Sequence, residues 1–171
     1  MPADTKAELA KHALIGKVPV LAHGKLWISE SLAISEYLAE MFPAPAHPRL
    51  FPADLGDRAR ARQVMSAMRT SLMGLREDRP TSSVFGRPIE APLSERGRRD
   101  ADELLELAGR LVTPGQALFG AWCIADADLT LMLMRLVANG DPVPQPIVDY
   151  AVAQWDRKSI RQYLSYLPTV T

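Results

Sequence analysis

Pro43, Pro45, Pro48 and Pro52 fall within the dozen residues from Phe42 to Ala53. Each proline lacks an amide donor and fixes φ, so neither a helix nor a central strand can run through so dense a set. The stretch reads as an extended linker. It divides the chain into residues 1–42, a linker at 43–53 and a third part at 54–171. The pattern of apolar residues differs on its two sides.

Before the linker, a short polar helix is expected around Asp4–Leu14, then a strand at Val18–Ala22. His23-Gly24 reads as a hairpin turn, since glycine tolerates the positive φ of tight turns. A second strand follows at Leu26–Ser29. Glu30–Met41 turns helical, with Ile34, Tyr37, Leu38 and Met41 at i, i+3, i+4 and i+7. Ser29 is the expected N-cap, and Glu30 suits the positive end of the helix dipole.

After the linker nothing strand-like remains. Asp54 to about Asp78 reads as one long helix with Val64, Met65, Met68, Leu72 and Leu75 on one face, stopped by Pro80. A proline- and glycine-bearing loop then runs to Leu93. Ser94 caps the next expected helix, whose apolar stripe is Ala101, Leu104, Leu105, Ala108, Leu111 and Val112. Residues 125–138 are apolar on nearly every face, which predicts a central buried helix ended at Asn139-Gly140. Helices over Pro144–Arg157 and Ser159–Tyr166 complete the chain. The fold class is therefore α+β at the N-terminus followed by an all-α domain, mostly helical overall.

Composition narrows the function. With 47% hydrophobic and 23% charged residues in 171, the chain is long and apolar enough for a real core. Twenty basic residues against twenty acidic ones leave none of the basic excess that marks a nucleic-acid binder. No apolar run approaches the ~18 residues of a membrane span. The N-terminal residues lack a secretory pattern, so a cytoplasmic protein is expected. One cysteine, Cys123, excludes an internal disulfide and a cysteine-rich metal site. His12, His23 and His47 have no metal-ligand spacing, and no metal is expected.

One difficulty is physical. An isolated hairpin is marginal in water, and the apolar face of Glu30–Met41 calls for a sheet of more than two strands. The first domain reads as incomplete.

The run Gly16-Lys17-Val18-Pro19-Val20-Leu21, then Glu30-Ser31 opening a helix that ends in Glu36-Tyr37-Leu38, resembles the second half of the thioredoxin-like domain of a cytosolic glutathione S-transferase. The proline linker and helical remainder are similar to that family's C-terminal domain, and Trp122-Cys123-Ile124-Ala125-Asp126 resembles its buried N-capping motif. Trp122–Gly140, Arg76-Glu77-Asp78-Arg79-Pro80-Thr81 and Tyr150–Trp155 are similar to a bacterial YfcF-like subgroup. The family's domain opens with a strand, a helix and a second strand that have no counterpart here. The thiol-activating tyrosine, serine or cysteine follows that first strand, so no residue of this chain takes its role.

The resemblance implies a detoxifying transferase, or an N-terminally truncated form of one. It would bind glutathione as co-substrate and activate its thiol for attack on an electrophile or peroxide. It further implies a homodimer, pairing in part through the apolar face of Val64–Leu75. The alternative is a non-catalytic interaction or dimerisation module on the same fold.

By resemblance the glutathione-binding residues are Lys17, Val18, Pro19, Glu30 and Ser31. A cis bond before Pro19 would turn the Val18 backbone toward the tripeptide's cysteinyl unit. Ser31 and the helix N-terminus would hold the γ-glutamyl carboxylate, Glu30 the amine, and Lys17 the glycyl carboxylate. From the residues alone, Pro19 equally starts an edge strand, Ser-Glu-Ser equally caps a helix, and Lys17 is equally a solvated surface charge.

Asp126-x-Asp128 could be taken for a metal pair. At the start of an apolar helix it reads instead as capping, with Asp126 reaching back to the Cys123 amide. Cys123 has no activating partner nearby in sequence and reads as structural. Arg69, Arg76 and Arg79 read as solvated or ion-paired, and Met65, Met68, Met73, Met132 and Met134 as core.

Overall fold

A computed structural model describes residues 3–14 and 16–166. It separates into two compact units, Met1–Leu50 and Phe51–Thr171. The division lies inside the proline-dense stretch, whose end belongs to the second unit. There Phe51 is buried beneath the Arg62 guanidinium, and the Pro52 carbonyl accepts from Arg58 Nε at 3.0 Å.

The first unit contains α1 (Ala3–His12), β1 (Val20–His23), β2 (Leu26–Ser29) and α2 (Ser31–Met41). The strands pair antiparallel, with Val20 opposite Ser29 and His23 opposite Leu26. The turn is therefore Gly24-Lys25 rather than His23-Gly24, with Gly24 at φ +61°. Register places Leu21, His23, Leu26 and Ile28 on one face, Val20, Ala22, Trp27 and Ser29 on the other. On the first face, Tyr37 of α2 meets His23, its hydroxyl 2.6 Å from Nδ1. On the second, His12 of α1 stacks on Trp27 at 4.0 Å between ring centroids. The Leu14 amide also donates to Ser29 Oγ at 3.0 Å. Helix α2 thus packs on one face of the ribbon, and the end of α1 reaches the other only at Trp27, which stays 40% exposed. That answers the expected need for more sheet in part: among the described residues the sheet has two strands.

The second unit is helical: α3 (Leu55–Thr70), α4 (Met73–Asp78), α5 (Thr81–Phe85), α6 (Glu95–Leu111), α7 (Ile124–Val137), α8 (Gln145–Trp155) and α9 (Lys158–Leu164). The single helix expected over Asp54–Asp78 is broken. Leu72 adopts left-handed φ +61° with its side chain 6% exposed. Its burial of a leucine, worth about 2 kcal/mol, outweighs the roughly 1 kcal/mol cost of that conformation. Helix α5 stands where a plain loop is expected, its Ser83 Oγ donating to the Pro80 carbonyl at 2.9 Å.

Helix α7 is the centre, packed against α3, α5, α6 and α8. Leu129, Met132, Leu133 and Leu136 are at most 1% exposed. The face Val64, Met65, Met68, Leu72 and Leu75 is buried in the same core. It is therefore not open to pair subunits, which corrects the reason first given for a dimer. Met73 is 46% exposed, and it is not the core residue expected. No helix among the described residues is long and apolar enough to cross a membrane.

Candidate functional site

The hairpin's open end gathers the residues expected to bind. Val20 and Ser29 are the last paired residues there. The chain enters β1 through Lys17, Val18 and Pro19 at the same end of the hairpin from which it leaves β2 through Glu30 and Ser31. The Val18-Pro19 bond is cis. Val18 is 67% exposed, and Lys17, Pro19 and Glu30 are also on the surface. A second cis bond, Ala44-Pro45, lies in the linker with no signal in the sequence to mark it.

Helix α2 opens differently from expectation. Ser29 is not its N-cap, because Ser29 is held in the ladder and its hydroxyl is taken by the Leu14 amide. Glu30 occupies the cap with φ +73°, rare for a residue with a Cβ, and no side chain caps the helix. The first intrahelical bond runs from the Ile34 amide to the Glu30 carbonyl at 3.0 Å. The amides of Ser31, Leu32 and Ala33 are left without an intrahelical acceptor. Ser31 contributes a hydroxyl at this positive end, while its carbonyl accepts from Ser35 Oγ at 2.8 Å. These open donors suit a carboxylate. Val18 adds an exposed backbone segment that a short extended ligand can pair with.

The Asp-x-Asp pair separates into two structural roles. Asp126 is fully buried. Its carboxylate accepts from the Cys123 amide at 2.9 Å, the Leu118 amide at 2.9 Å and the Tyr150 hydroxyl at 2.8 Å. Burial, then the neighbouring Asp126 charge, raises the Tyr150 pKa well above the ordinary phenol range. Asp128 instead takes a two-point contact from Arg69, 2.6 Å to Nε and 3.2 Å to Nη2. Burial raises the Asp128 pKa, and the arginine opposes the shift. Cys123 is a buried free thiol, and burial pushes its pKa up to about 11. A thiol so raised is protonated at neutral pH and is no nucleophile.

Arg76 donates to the Met68 and Ser71 carbonyls. Arg79 is 3% exposed and grips Asp141 at 2.7 and 2.8 Å, a contact that raises its pKa. Sequence reasoning missed the residues that close this network. Arg135 donates to the Arg79 carbonyl at 2.5 Å and Thr81 Oγ1 at 2.7 Å, and burial, then Arg76, lowers its pKa to about 10. Asn139 accepts from the Ile89 amide at 2.6 Å. One signal was available: an arginine inside an otherwise apolar helix needs buried partners. Among the described residues no group of three or more histidine, cysteine or acidic side chains could hold a metal ion.

Comparison with known proteins accords with this layout. The family model "Glutathione S-transferase, C-terminal domain" matches residues 54–168, and its N-terminal counterpart matches 2–40. Glutathione S-transferase T3 of Arabidopsis thaliana is 35% identical over 91 residues, which is 53% of this chain and 15% of that protein. Glutathione S-transferase T1 of the same plant is 34% identical over 91 residues, 37% of its length. The aligned chain thus spans well under half of these curated relatives.

A Burkholderia glutathione transferase homolog, crystallised with bound glutathione, superposes with a TM-score of 0.76 at 38% identity, over 94% of this chain and 77% of its own. A Tau class glutathione S-transferase from mango, at 19% identity and a TM-score of 0.70 over 96% of this chain and 78% of its own, shares the fold. Both units therefore follow one architecture, a thioredoxin-like part ahead of an all-helical domain. The chain belongs to the glutathione S-transferase family.

Proposed function

We propose that the chain serves a glutathione S-transferase that binds glutathione at the open end of the hairpin and presents its thiol to an electrophile or peroxide. The observation that carries this reading is the register. Because Val20 pairs with Ser29, Val18 enters β1 at the same end of the hairpin from which Glu30 and Ser31 leave β2, where the amides of α2 are uncapped. Val18 pairs with the cysteinyl backbone, with Pro19 holding its approach. Ser31 and the α2 amides hold the γ-glutamyl carboxylate, Glu30 accepts from the amine, and Lys17 meets the glycyl carboxylate. The bound glutathione of the Burkholderia relative supports the ligand class.

The proposal extends to a bacterial YfcF-like member working in the cytoplasm as a homodimer. Leu14, Val18, Leu26, Trp27, Met41 and Phe42 expose between 40% and 83% of their surface on the hairpin unit, and apolar surface of that kind favours association. Sedimentation should show a species larger than a monomer at micromolar concentration, and a stable monomer would refute the dimer.

No hydroxyl or thiol among the described residues of the hairpin end is placed as a dedicated partner for the glutathione sulfur. We assign that role to a strand–helix–strand preceding this segment. The test compares conjugation of an aryl halide by the 171-residue chain and by a fusion carrying that strand–helix–strand, at equal protein concentration. Marked recovery in the fusion is expected, and equal turnover would place the chemistry in these residues. In the fusion, Ser31→Ala should weaken glutathione by about 1.5–3 kcal/mol, the usual loss for one hydrogen bond to a charged group. Equal affinities by calorimetry would remove Ser31 from the site.

A further inference from the structure

Three arginines of the helical unit gather around one carboxylate. Arg69 of α3 grips Asp128 of α7 at 2.6 and 3.2 Å. Arg76 of α4 donates to the Met68 and Ser71 carbonyls, so its guanidinium lies against the end of α3. Arg135 follows Asp128 by about two turns along the same side of α7. Arg76 acts on both ends of that side: its charge opposes the rise of the Asp128 pKa and lowers that of Arg135.

The charges of this cluster do not balance. Asp128 is engaged by Arg69, whereas the hydrogen bonds of the other two arginines go to neutral oxygens. Arg76 spends Nε and Nη2 on backbone carbonyls. Arg135 spends Nη1 and Nη2 on the Arg79 carbonyl and Thr81 Oγ1. Arg135 is 3% exposed, and its Nε is buried without a partner, as is Nη1 of Arg69. With a pKa lowered only to about 10, Arg135 keeps its charge at neutral pH. A buried cation served by neutral acceptors alone is costly, and an anion beside it offsets the lost solvation.

We propose that Arg76 and Arg135 together bind a small carboxylate of a few atoms, one oxygen on Nη1 of Arg76 and the other on Nε of Arg135. Half-buried Arg76 forms the way in, and the depth of Arg135 bars a larger body. The site uses no residue of the hairpin end, so it stands or falls independently of glutathione binding there.

Formate is the probe, with formamide as its uncharged counterpart of nearly the same size. Each is titrated into the nitrogen-labelled 171-residue chain at pH 6, with sodium chloride holding the ionic strength constant. The readout is the side-chain Nε–H signal of each arginine. Formate should move the Arg76 and Arg135 signals along one saturating curve, with a midpoint at least about tenfold below that of formamide. The exposed Arg98 and Arg99 should stay unmoved. Arg76→Lys keeps the charge but loses the planar fork, and should weaken formate at Arg135 about tenfold. Formate and formamide acting alike would overturn the site, as would shifts that grow linearly and equally at Arg98 and Arg99. That comparison needs no variant, so it decides even where Arg76→Lys fails to fold. A folded Arg76→Lys chain that binds formate as wild type does would also overturn it.

Discussion

At the residue scale, one carboxylate organises the helical unit. Asp126 receives three donors, from the Cys123 amide, the Leu118 amide and the Tyr150 hydroxyl. The first of these was legible, because a carboxylate three residues beyond a helix start reaches back by local geometry. Tyr150, 24 residues away, was not, because no periodicity relates the two. Asp126→Ala leaves the buried Cys123 amide and the part-buried Leu118 amide unsatisfied and should cost about 3 kcal/mol. Tyr150→Phe removes a single hydroxyl donor and should cost about half that. Denaturant midpoints check both.

Cys123 adds a pH dependence. Its folded pKa lies near 11, above the ordinary value near 9, so between those values the native state holds a proton that the unfolded state has released. Stability falls as pH rises where the native state binds more protons. Wild type should therefore lose stability from about pH 9 to 11 relative to Cys123→Ala, with Tyr150 contributing alike to both. Parallel stability profiles for the two proteins would contradict this.

At the element scale, two glycines set how closely α4 and α6 cross. A Cβ on Gly74 would lie 2.9 Å from the Arg96 backbone carbon and the Gly97 nitrogen, and one on Gly97 would lie 2.0 Å from Asp78 Oδ2. That Asp78 oxygen is occupied, since it accepts from the Ser94 amide at 2.7 Å and its hydroxyl at 2.8 Å. Ser94 in turn caps α6 through the Gly97 amide at 3.0 Å. The cap was legible from a serine ahead of an apolar-periodic run; the crossing was not, because the sequence does not show which helices meet.

Gly97→Ala should therefore destabilise by about 2 kcal/mol or more. Gly109→Ala, on the same helix with nothing within 4 Å of the new methyl, should stabilise by about 0.5–1 kcal/mol. Thermal midpoints moving in the same direction for both would refute the close crossing. The break between α3 and α4 was hidden for a related reason. Leu72 keeps its place in the apolar series whether or not the backbone turns at Ser71, so periodicity reports its burial and not its conformation.

At the scale of the whole molecule, the division into hairpin unit and helical unit could be read from the proline spacing. So could the central position of α7, because a helix apolar on every face has nowhere else to go. The detail of the hairpin end was legible only in part. Glu30 and Ser31 were singled out, yet the sequence placed the cap on Ser29. The ladder holds Ser29 and transfers the cap to Glu30 with its backbone at positive φ. That transfer leaves the first amides of α2 open, and on it the glutathione assignment rests. The second-substrate chemistry has no comparable signature; Arg69 and Arg79, two arginines the sequence singled out, are held by Asp128 and Asp141.

The most direct test is a two-dimensional amide spectrum of the nitrogen-labelled chain titrated with glutathione. The account predicts progressive shifts concentrated at Val18, Ser31, Leu32 and Ala33, with the amides of α6 and α7 unmoved. Shifts confined to the helical unit, or none at millimolar glutathione, would contradict it.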